Sequence, residues 1–422
     1  MSMTYDEISD TFGALRKTRT YLDDKWGEIV AFLKGGSRFV FVGCGSSYSI
    51  AKSFAAICVI GAGKHAVAVT AGDIILHSGR YKKAVDGAAV VFISRSGRTS
   101  ELLMALDALE SQGCDITVAS IISADDTPLG ARSSLVLSTP WAFDESVCQT
   151  RCVTNFYFTA AYIYAKLSCD KSCAADSGCD EDSGCDGDPG CDEEPGCAGE
   201  PGCDGGTPLM EDLLALLADG DEYLARTQVL AEEIAGHSWT HTVVLADAEL
   251  EGLAEEGSLV FKEVCQTPSN YYHLLDSRHG PIVMIGDKTL ILAVVGGSNK
   301  LEFDLLRDME KKGAQVVAFL SGADSEFGCE ADSGPGCGAG SGADSGPGSG
   351  ADCGPGCGPG SGADSGPGNL GDITQTGYGR PLSHIAAGIP FIILCQLIAY
   401  YKSNATGADP DKPDGLDAWI AL

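Results

Sequence analysis

The chain is short of positive charge: 28 Lys and Arg stand against 59 Asp and Glu in 422 residues, a net charge of −31 at pH 7. That balance argues against nucleic acid and anionic membranes as partners, since both are recognised through clustered cations. No charged-apolar-small leader opens the chain, because Met1 to Asp10 is polar and acidic. No uninterrupted apolar run reaches membrane-spanning length; the longest, around Ile389 to Tyr401, is too short. These absences point to a cytoplasmic, reducing setting in which scattered cysteines are thiols. Two nucleotide signatures are missing as well. No G-x-G-x-x-G follows the first strand-like run, and the lysine-bearing loop G-x-x-x-x-G-K-[ST] does not occur.

The acidity is local. Residues 169–206 carry eight Asp, four Glu and one Lys, a net of −11, and residues 322–368 carry five Asp, two Glu and no base, a net of −7. The remaining 337 residues hold only −13. The two segments also hold eleven of the 18 cysteines. In the first, Cys179, Cys185, Cys191, Cys197 and Cys203 recur every six residues, each after Gly; the second cycles through Gly-Ala-Asp-Ser-Gly-Pro-Gly. Such a composition cannot bury enough surface to offset chain entropy, so both are expected to be disordered, inert surface insertions. Thiolates among carboxylates suit soft metals, but no closed four-ligand CxxC pair is present and no metal site is expected.

Elsewhere, strand-like and helix-like periods alternate. Arg38–Val42, His65–Thr70, Ala88–Ile93, Asp115–Ile121 and Leu135–Leu137 read as strands, with helices after the first and third. The second half repeats the plan, with strands at Thr242–Leu245, Thr289–Val295 and Gln315–Phe319 and helices at Glu249–Glu263 and Leu301–Lys312. Helices at Tyr5–Lys34 and Pro390–Lys402 would brace the pair. The expected class is α/β, with two tandem units, each a parallel sheet flanked by helices. The expected organisation is N-terminal helices at 1–34, a first domain at 35–168, the insertion 169–206 and a linking helix at 207–236. A second domain at 237–400, interrupted by 322–368, and a tail at 401–422 complete it.

Ser94-Arg95-Ser96-Gly97-Arg98-Thr99 lies between an apolar strand and a helix start. Free N–H groups, the positive end of a helix dipole and hydroxyl donors make such a turn a phosphate cradle. Gly43-Cys44-Gly45-Ser46-Ser47 joins another strand to a helix in the same way. In the second half, several carboxylates, Glu255, Glu256 and Glu263 among them, gather on one helix. Most would form a solvated face. Glu263 differs, because Leu259, Val260 and Val264 surround it, and a desolvated carboxylate can take a proton from carbon near neutrality. His279 sits on the turn Ser277-Arg278-His279-Gly280-Pro281. A phosphate cradle with two acid–base groups suits aldose–ketose chemistry, in which a ring is opened and a proton moves between adjacent carbons.

These residues resemble a family, the tandem SIS (sugar isomerase) domain proteins, and in particular the isomerase half of the glucosamine-6-phosphate synthases. Gly43–Tyr48 is similar to the first-loop C-G-[TS]-S-Y, and Ser94–Thr99 to the phosphate loop S-x-S-G-x-T. Glu145–Arg151 resembles E-x-V-x-x-T-[KR], while Glu251-Gly252 to Lys262-Glu263 and His279-Gly280-Pro281 resemble the helix ending K-E and the H-G-P turn. The resemblance implies two SIS domains, each a five-stranded, flavodoxin-like three-layer sandwich. It implies that Ser47, Ser94, Arg95, Ser96 and Thr99 hold a sugar phosphate, and that Cys44, Gly45, Ser46, Val147 and Gln149 line the sugar pocket. Glu263 would move the C1/C2 proton, and His279 would assist ring opening, from the neighbouring subunit of a homodimer or higher homo-oligomer. No cofactor is called for.

Departures narrow the expectation. The chain enters its first SIS unit within about forty residues, so no glutamine hydrolysis is expected. Ala418 stands where the synthases carry a tail lysine, and Val260 replaces a second lysine one turn before Glu263. The pattern is closer to deaminase/isomerases and deglycases, whose substrates, amino- or N-substituted sugar phosphates, bring their own nitrogen. The alternatives are a non-catalytic phosphosugar sensor, although no DNA-binding domain or basic patch accompanies the motifs, and a metal- or partner-binding role for the Cys/Asp hexads.

Overall fold

The computed structural model describes residues 2–176, 207–322 and 373–417. Three helices open it: α1 (Met3–Ser9), α2 (Thr11–Asp24) and α3 (Trp26–Gly35). The single helix expected over Tyr5–Lys34 is thus broken twice, where Asp10 and Lys25 leave helical geometry with ψ near 0°. The first α/β unit follows: β1 (Arg38–Gly43), α4 (Ser46–Ala56), β2 (His65–Thr70), α5 (Ala71–Val85), β3 (Ala88–Ser94), α6 (Ser100–Ser111), β4 (Ile116–Ile122) and β5 (Leu135–Ser138). Long helices α7 (Arg151–Asp176) and α8 (Pro208–Ala235) lead to the second unit. This contains β6 (His241–Leu245), α9 (Glu251–Val264), β7 (Ser269–Tyr272), β8 (Thr289–Val295), α10 (Lys300–Lys311), β9 (Gln315–Leu320), β10 (Thr374–Gly377) and α11 (His384–Thr406).

Both sheets are wholly parallel and share one topology. The first runs β2-β1-β3-β4-β5, and the second, read from its far edge, runs β7-β6-β8-β9-β10. The expected tandem α/β architecture is therefore present. In this order the chain reverses direction across the sheet between β1 and β3, which opens a crevice at their carboxyl ends. The loops that leave those two strands are Gly43–Ser47 and Ser94–Thr99.

Alternation along the strands builds the layers. Phe39 and Phe41 of β1 join the large central core, while Val40 and Val42 point to a separate outer cluster with Leu102, Ala105 and Leu106 of α6. In the second sheet Val244, Leu292 and Phe319 face the same central core, and Val243, Ile291 and Phe303 form the outer cluster under α10. One helical layer, with α4, α7, α8, α9 and α11 in it, is thus shared between two sheets. Among the described residues α11 is the one helix long and apolar enough to cross a membrane, but 83% of that stretch is buried inside the protein. It is the central core helix, and it begins six residues earlier than its apolar run because Ser383 and His384 lead it in.

Two sequence expectations shift at the insertions. Residues 169–176 belong to the last turns of α7 rather than to a loop, because the helix simply continues beyond its buried stretch. The Cys hexads at 179–203 and the Gly-Ala-Asp-Ser cycle from 323 onward lie outside the described residues, as does Ala418. Strands β7 and β10, at the edges of the second sheet, and helix α5 lack a clear periodic signal.

The two units meet where α4 crosses α9. A Cβ placed on Gly252 would lie 2.1 Å from the Ser49 carbonyl oxygen and 2.6 Å from Ser53 Oγ, so only glycine allows this approach. Replacing Gly252 by Ala should destabilise the protein by about 1–3 kcal/mol, the usual cost of overpacking, measured as a lowered urea midpoint.

Candidate active site

The Ser94–Thr99 loop leaves β3 and turns at Gly97, whose φ is +59°. A side chain there would also collide with Thr127, within 2.6–2.8 Å. Ser94, Ser96 and Gly97 are buried and Thr99 is half-buried. Ser94 Oγ accepts the Gly97 N–H at 3.0 Å, and Ser96 Oγ accepts the Arg98 N–H at 3.2 Å. Ser94 Oγ also pairs with Thr99 Oγ1 at 3.5 Å, and the Ser96 hydroxyl proton is left to be donated elsewhere. Thr99 is the N-cap of α6 and makes no side-chain capping bond, so the helix start keeps its anion-attracting character. The second unit differs at the matching place. There Asn299 caps α10 by accepting the Leu301 N–H at 3.0 Å, and the Glu302 carboxylate accepts the Gly296 N–H at 3.0 Å. A carboxylate of the protein thus occupies the anion position in the second unit, leaving the first as the phosphate-compatible one.

The first loop packs beside it. Gly45 (φ +53°) is the N-cap of α4, and Ser46 and Ser47 are buried at the helix start. Cys44 faces the outer cluster, and burial together with the charge of Glu101 raises its thiol to about 11; it is a packed thiol, not a nucleophile.

Arg95 does something its place in the loop did not reveal. Only 4% exposed, its guanidinium donates to the carbonyls of Ser146 (2.7 Å), Val147 (3.2 Å) and Asp144 (3.3 Å) and lies over the Phe143 ring. It therefore ties the phosphate loop to the segment that carries Val147 and Gln149. That segment is clamped from the other side too. Glu7 of α1 accepts the N–H groups of Glu145 (2.6 Å) and Ser146 (3.1 Å) and bonds the Ser146 hydroxyl. Asp144 accepts the N–H groups of Thr150 and Cys152 at 2.8 and 2.9 Å. Burial and the neighbouring Glu7 charge push the Asp144 carboxyl up to about 7. Val147 N–H donates to the Asp411 carbonyl at 2.9 Å, so the C-terminal segment closes over the same turn. Gln149 is half-buried, and its Oε1 has no hydrogen-bond partner.

From the second unit, α9 brings its carboxylates to this place. Glu263 is raised to about 7, chiefly by burial, while the charges of Arg95 and Lys262 hold it back. Burial, and after it the Glu263 charge, raises the Cys148 thiol, while Arg95 opposes the shift. Glu263 is thus close enough to Arg95 and Cys148 for their charges to be felt across the two units. His279 does not join them. It is exposed at the end of a short turn, and its recorded bond is its own N–H to the Asp276 carbonyl at 2.8 Å.

The expectation of a solvated acidic face on α9 is corrected. Glu251 and Glu255 both reach Lys52 of α4, at 3.5 and 3.0 Å, and Glu256 is fully buried. The signal was present in the spacing, since Glu256 and Glu263 are seven residues apart and share a helix face.

Comparisons agree with this architecture. Residues 32–162 match the SIS domain family model. Over 428 aligned residues the chain is 21% identical to an isomerizing glutamine–fructose-6-phosphate aminotransferase of Methanothermobacter thermautotrophicus, which covers 99% of this chain but 57% of that protein. The chain thus spans little more than half of that relative's length. A glucosamine-6-phosphate deaminase from Thermotoga maritima superposes with a TM-score of 0.64 at 19% identity, with all of both chains covered. The C-terminal domain of a glucosamine-fructose-6-phosphate aminotransferase from Francisella tularensis gives 0.68 at 18%, covering 97% of this chain and 98% of that one.

Titration of Glu263 has a consequence for stability. A carboxyl raised from 4.5 to about 7 on folding keeps its proton in the native state while the unfolded chain has released it. Its contribution is therefore full below about pH 4.5 and is lost as the pH rises to about 7. Relative to Glu263→Gln, the wild-type urea midpoint should fall across that window and stay lower at pH 8; parallel curves would contradict the assignment. Residues 32–162 match the SIS domain model directly and the second unit repeats the same topology, so the chain has the fold of two tandem SIS-type units.

Proposed function

We propose that the chain is a phosphosugar isomerase of the SIS type, with its substrate phosphate on the Ser94–Thr99 loop and its proton-transfer carboxylate at Glu263. The observation that carries this reading is the meeting of the two units. A carboxylate raised to about 7 comes from α9 to the side of the phosphate loop of the other unit, with Arg95 linking them. Ser47, Ser94, Ser96 and Thr99 would hold the phosphate through hydroxyl and backbone donors. Arg95 would act behind them, through the Asp144–Val147 turn, rather than as the main phosphate ligand. Cys44, Gly45, Ser46, Val147 and Gln149 would shape the sugar pocket.

In the proposed reaction the Glu263 carboxylate takes the proton from the carbon beside the carbonyl, leaving an enediolate; the neighbouring hydroxyl's proton passes to the former carbonyl oxygen, and the protonated carboxyl returns its proton to the former carbonyl carbon. A base with a pKa near 7 is well matched to this task. The exposure of His279, away from Glu263 in its own chain, supports a homodimer in which this histidine completes the partner's site and assists ring opening. The eight free cysteines among the described residues are compatible with a cytoplasmic setting.

A finer reading, an amino- or N-substituted sugar phosphate that loses its amine, is supported by the resemblance to a deaminase fold and by Val260, which is buried and apolar where an amine of the protein would otherwise serve.

Glu263→Gln should retain sugar-phosphate binding while turnover falls by at least a thousandfold; unchanged turnover would remove Glu263 from the proton-transfer role, whereas binding without turnover in the wild type would favour the non-catalytic sensor. The acidic limb of kcat/KM should lie near pH 7, with activity falling below it as Glu263 gains its proton. Ser96→Ala combined with Thr99→Ala should weaken binding of phosphorylated sugars at least tenfold, read by calorimetry, with little change for the free sugars.

A further inference from the structure

We propose that Glu7 of α1 is a positioning residue for the sugar end of the site, acting through the Asp144–Gln149 turn; this rests on the phosphosugar reading above. The turn has no helix or strand of its own, and such a segment is ordinarily the mobile part of a site. Here its backbone is bonded to three remote elements. Arg95, from the loop after β3, donates to the carbonyls of Asp144, Ser146 and Val147. The Asp411 carbonyl, from the C-terminal segment, accepts the Val147 N–H. Glu7 accepts the N–H groups of the two residues before Val147, Glu145 and Ser146. Without Glu7 those two donors lose their acceptor, and the turn that presents Val147 and Gln149 loses the support opposite Arg95.

The fold fixes where Glu7 points. A helix as short as α1 is not stable alone, and it is pinned on both sides of this residue. Ile8 is fully buried in the central core, and the Asp411 carboxylate accepts the Met3 and Thr4 N–H groups at 3.0 and 2.8 Å. Glu7 itself is 5% exposed. Its two oxygens have different tasks. Oε1 accepts both N–H groups, at 2.6 and 3.1 Å, while Oε2 meets the Ser146 hydroxyl. That hydroxyl also lies 2.9 Å from the Cys148 carbonyl. Position 7 therefore needs one acceptor atom at a fixed reach rather than a charge. A glutamine keeps the acceptor on the two N–H groups, donates from its amide nitrogen to Ser146 Oγ and leaves the Ser146 proton for the Cys148 carbonyl. An aspartate keeps the charge but falls one methylene short. The phosphate end is separate, since the bonds of Glu7 go to the turn and not to the Ser94–Thr99 loop. Ordering the turn in advance spares a bound sugar that cost.

The test titrates fructose 6-phosphate and inorganic phosphate into the full chain and into three variants, read by calorimetry. Glu7→Ala should raise the dissociation constant of fructose 6-phosphate about tenfold, the loss expected for two buried donors without an acceptor, and leave that of inorganic phosphate unchanged. Glu7→Gln should bind both as wild type does, and Glu7→Asp should fall between the other two. If the alanine variant does not fold, the order of glutamine above aspartate carries the test. Wild-type affinity in Glu7→Ala, equal weakening of both ligands, or an aspartate that retains what glutamine loses would overturn the positioning role. Failure of the underlying reading has a different signature: neither ligand binds wild type.

Discussion

Everything at the candidate site depends on the close crossing of α4 and α9. Each helix follows the first strand of its own unit, and Gly252 lets their backbones come together with no side chain between them. The ion pairs from Lys52 to Glu251 and Glu255 hold the crossing on its half-buried side. Because of that contact, carboxylates from one unit sit beside the phosphate loop of the other. Neither unit alone would place an anion cradle and a desolvated acid together.

The duplication of the fold is not a duplication of the site. In the first unit the loop after β3 ends in hydroxyls and in an N-cap, Thr99, whose side chain pairs with Ser94 rather than capping the helix. In the second, Asn299 and Glu302 satisfy the corresponding backbone donors from within the chain. One copy thus offers its helix dipole to a ligand, and the other neutralises it internally. The second unit is left to supply acids. Burial in the shared helical layer raises Glu263 and, further, Glu256, while Arg95 limits the shift on Glu263. A carboxylate that titrates near neutrality results from this balance of desolvation against one buried guanidinium.

Much of this was readable in the linear chain. The alternation of strand and helix gave the class and most element positions, because period-2 and period-3.6 patterns reflect which faces are buried. The Ser94–Thr99 turn was legible because hydroxyls and glycine between an apolar strand and a helix have few other uses. The apolar neighbours of Glu263 announced its desolvation. Less was legible where the decisive partner is remote. Arg95 looked like a phosphate ligand from its place in the loop, yet its guanidinium is engaged with carbonyls about fifty residues later. Glu256 was grouped with surface acids because its burial comes from other elements packed against α9.

By itself the sequence determined the tandem α/β plan, the hydroxyl-rich glycine turn between β3 and α6 and the presence of an apolar setting around Glu263. All of these are set by neighbours within a few residues, through backbone geometry, hydrogen-bonding capacity and side-chain periodicity. Only the tertiary structure decided which carboxylates lose water, which of them Lys52 neutralises, and that Arg95 braces the Asp144–Val147 turn. Desolvation and charge pairing depend on what lies within a few ångströms in space, and the groups that meet here come from α1, the β3 loop, α4, α9 and the C-terminal segment, which the chain keeps up to four hundred residues apart.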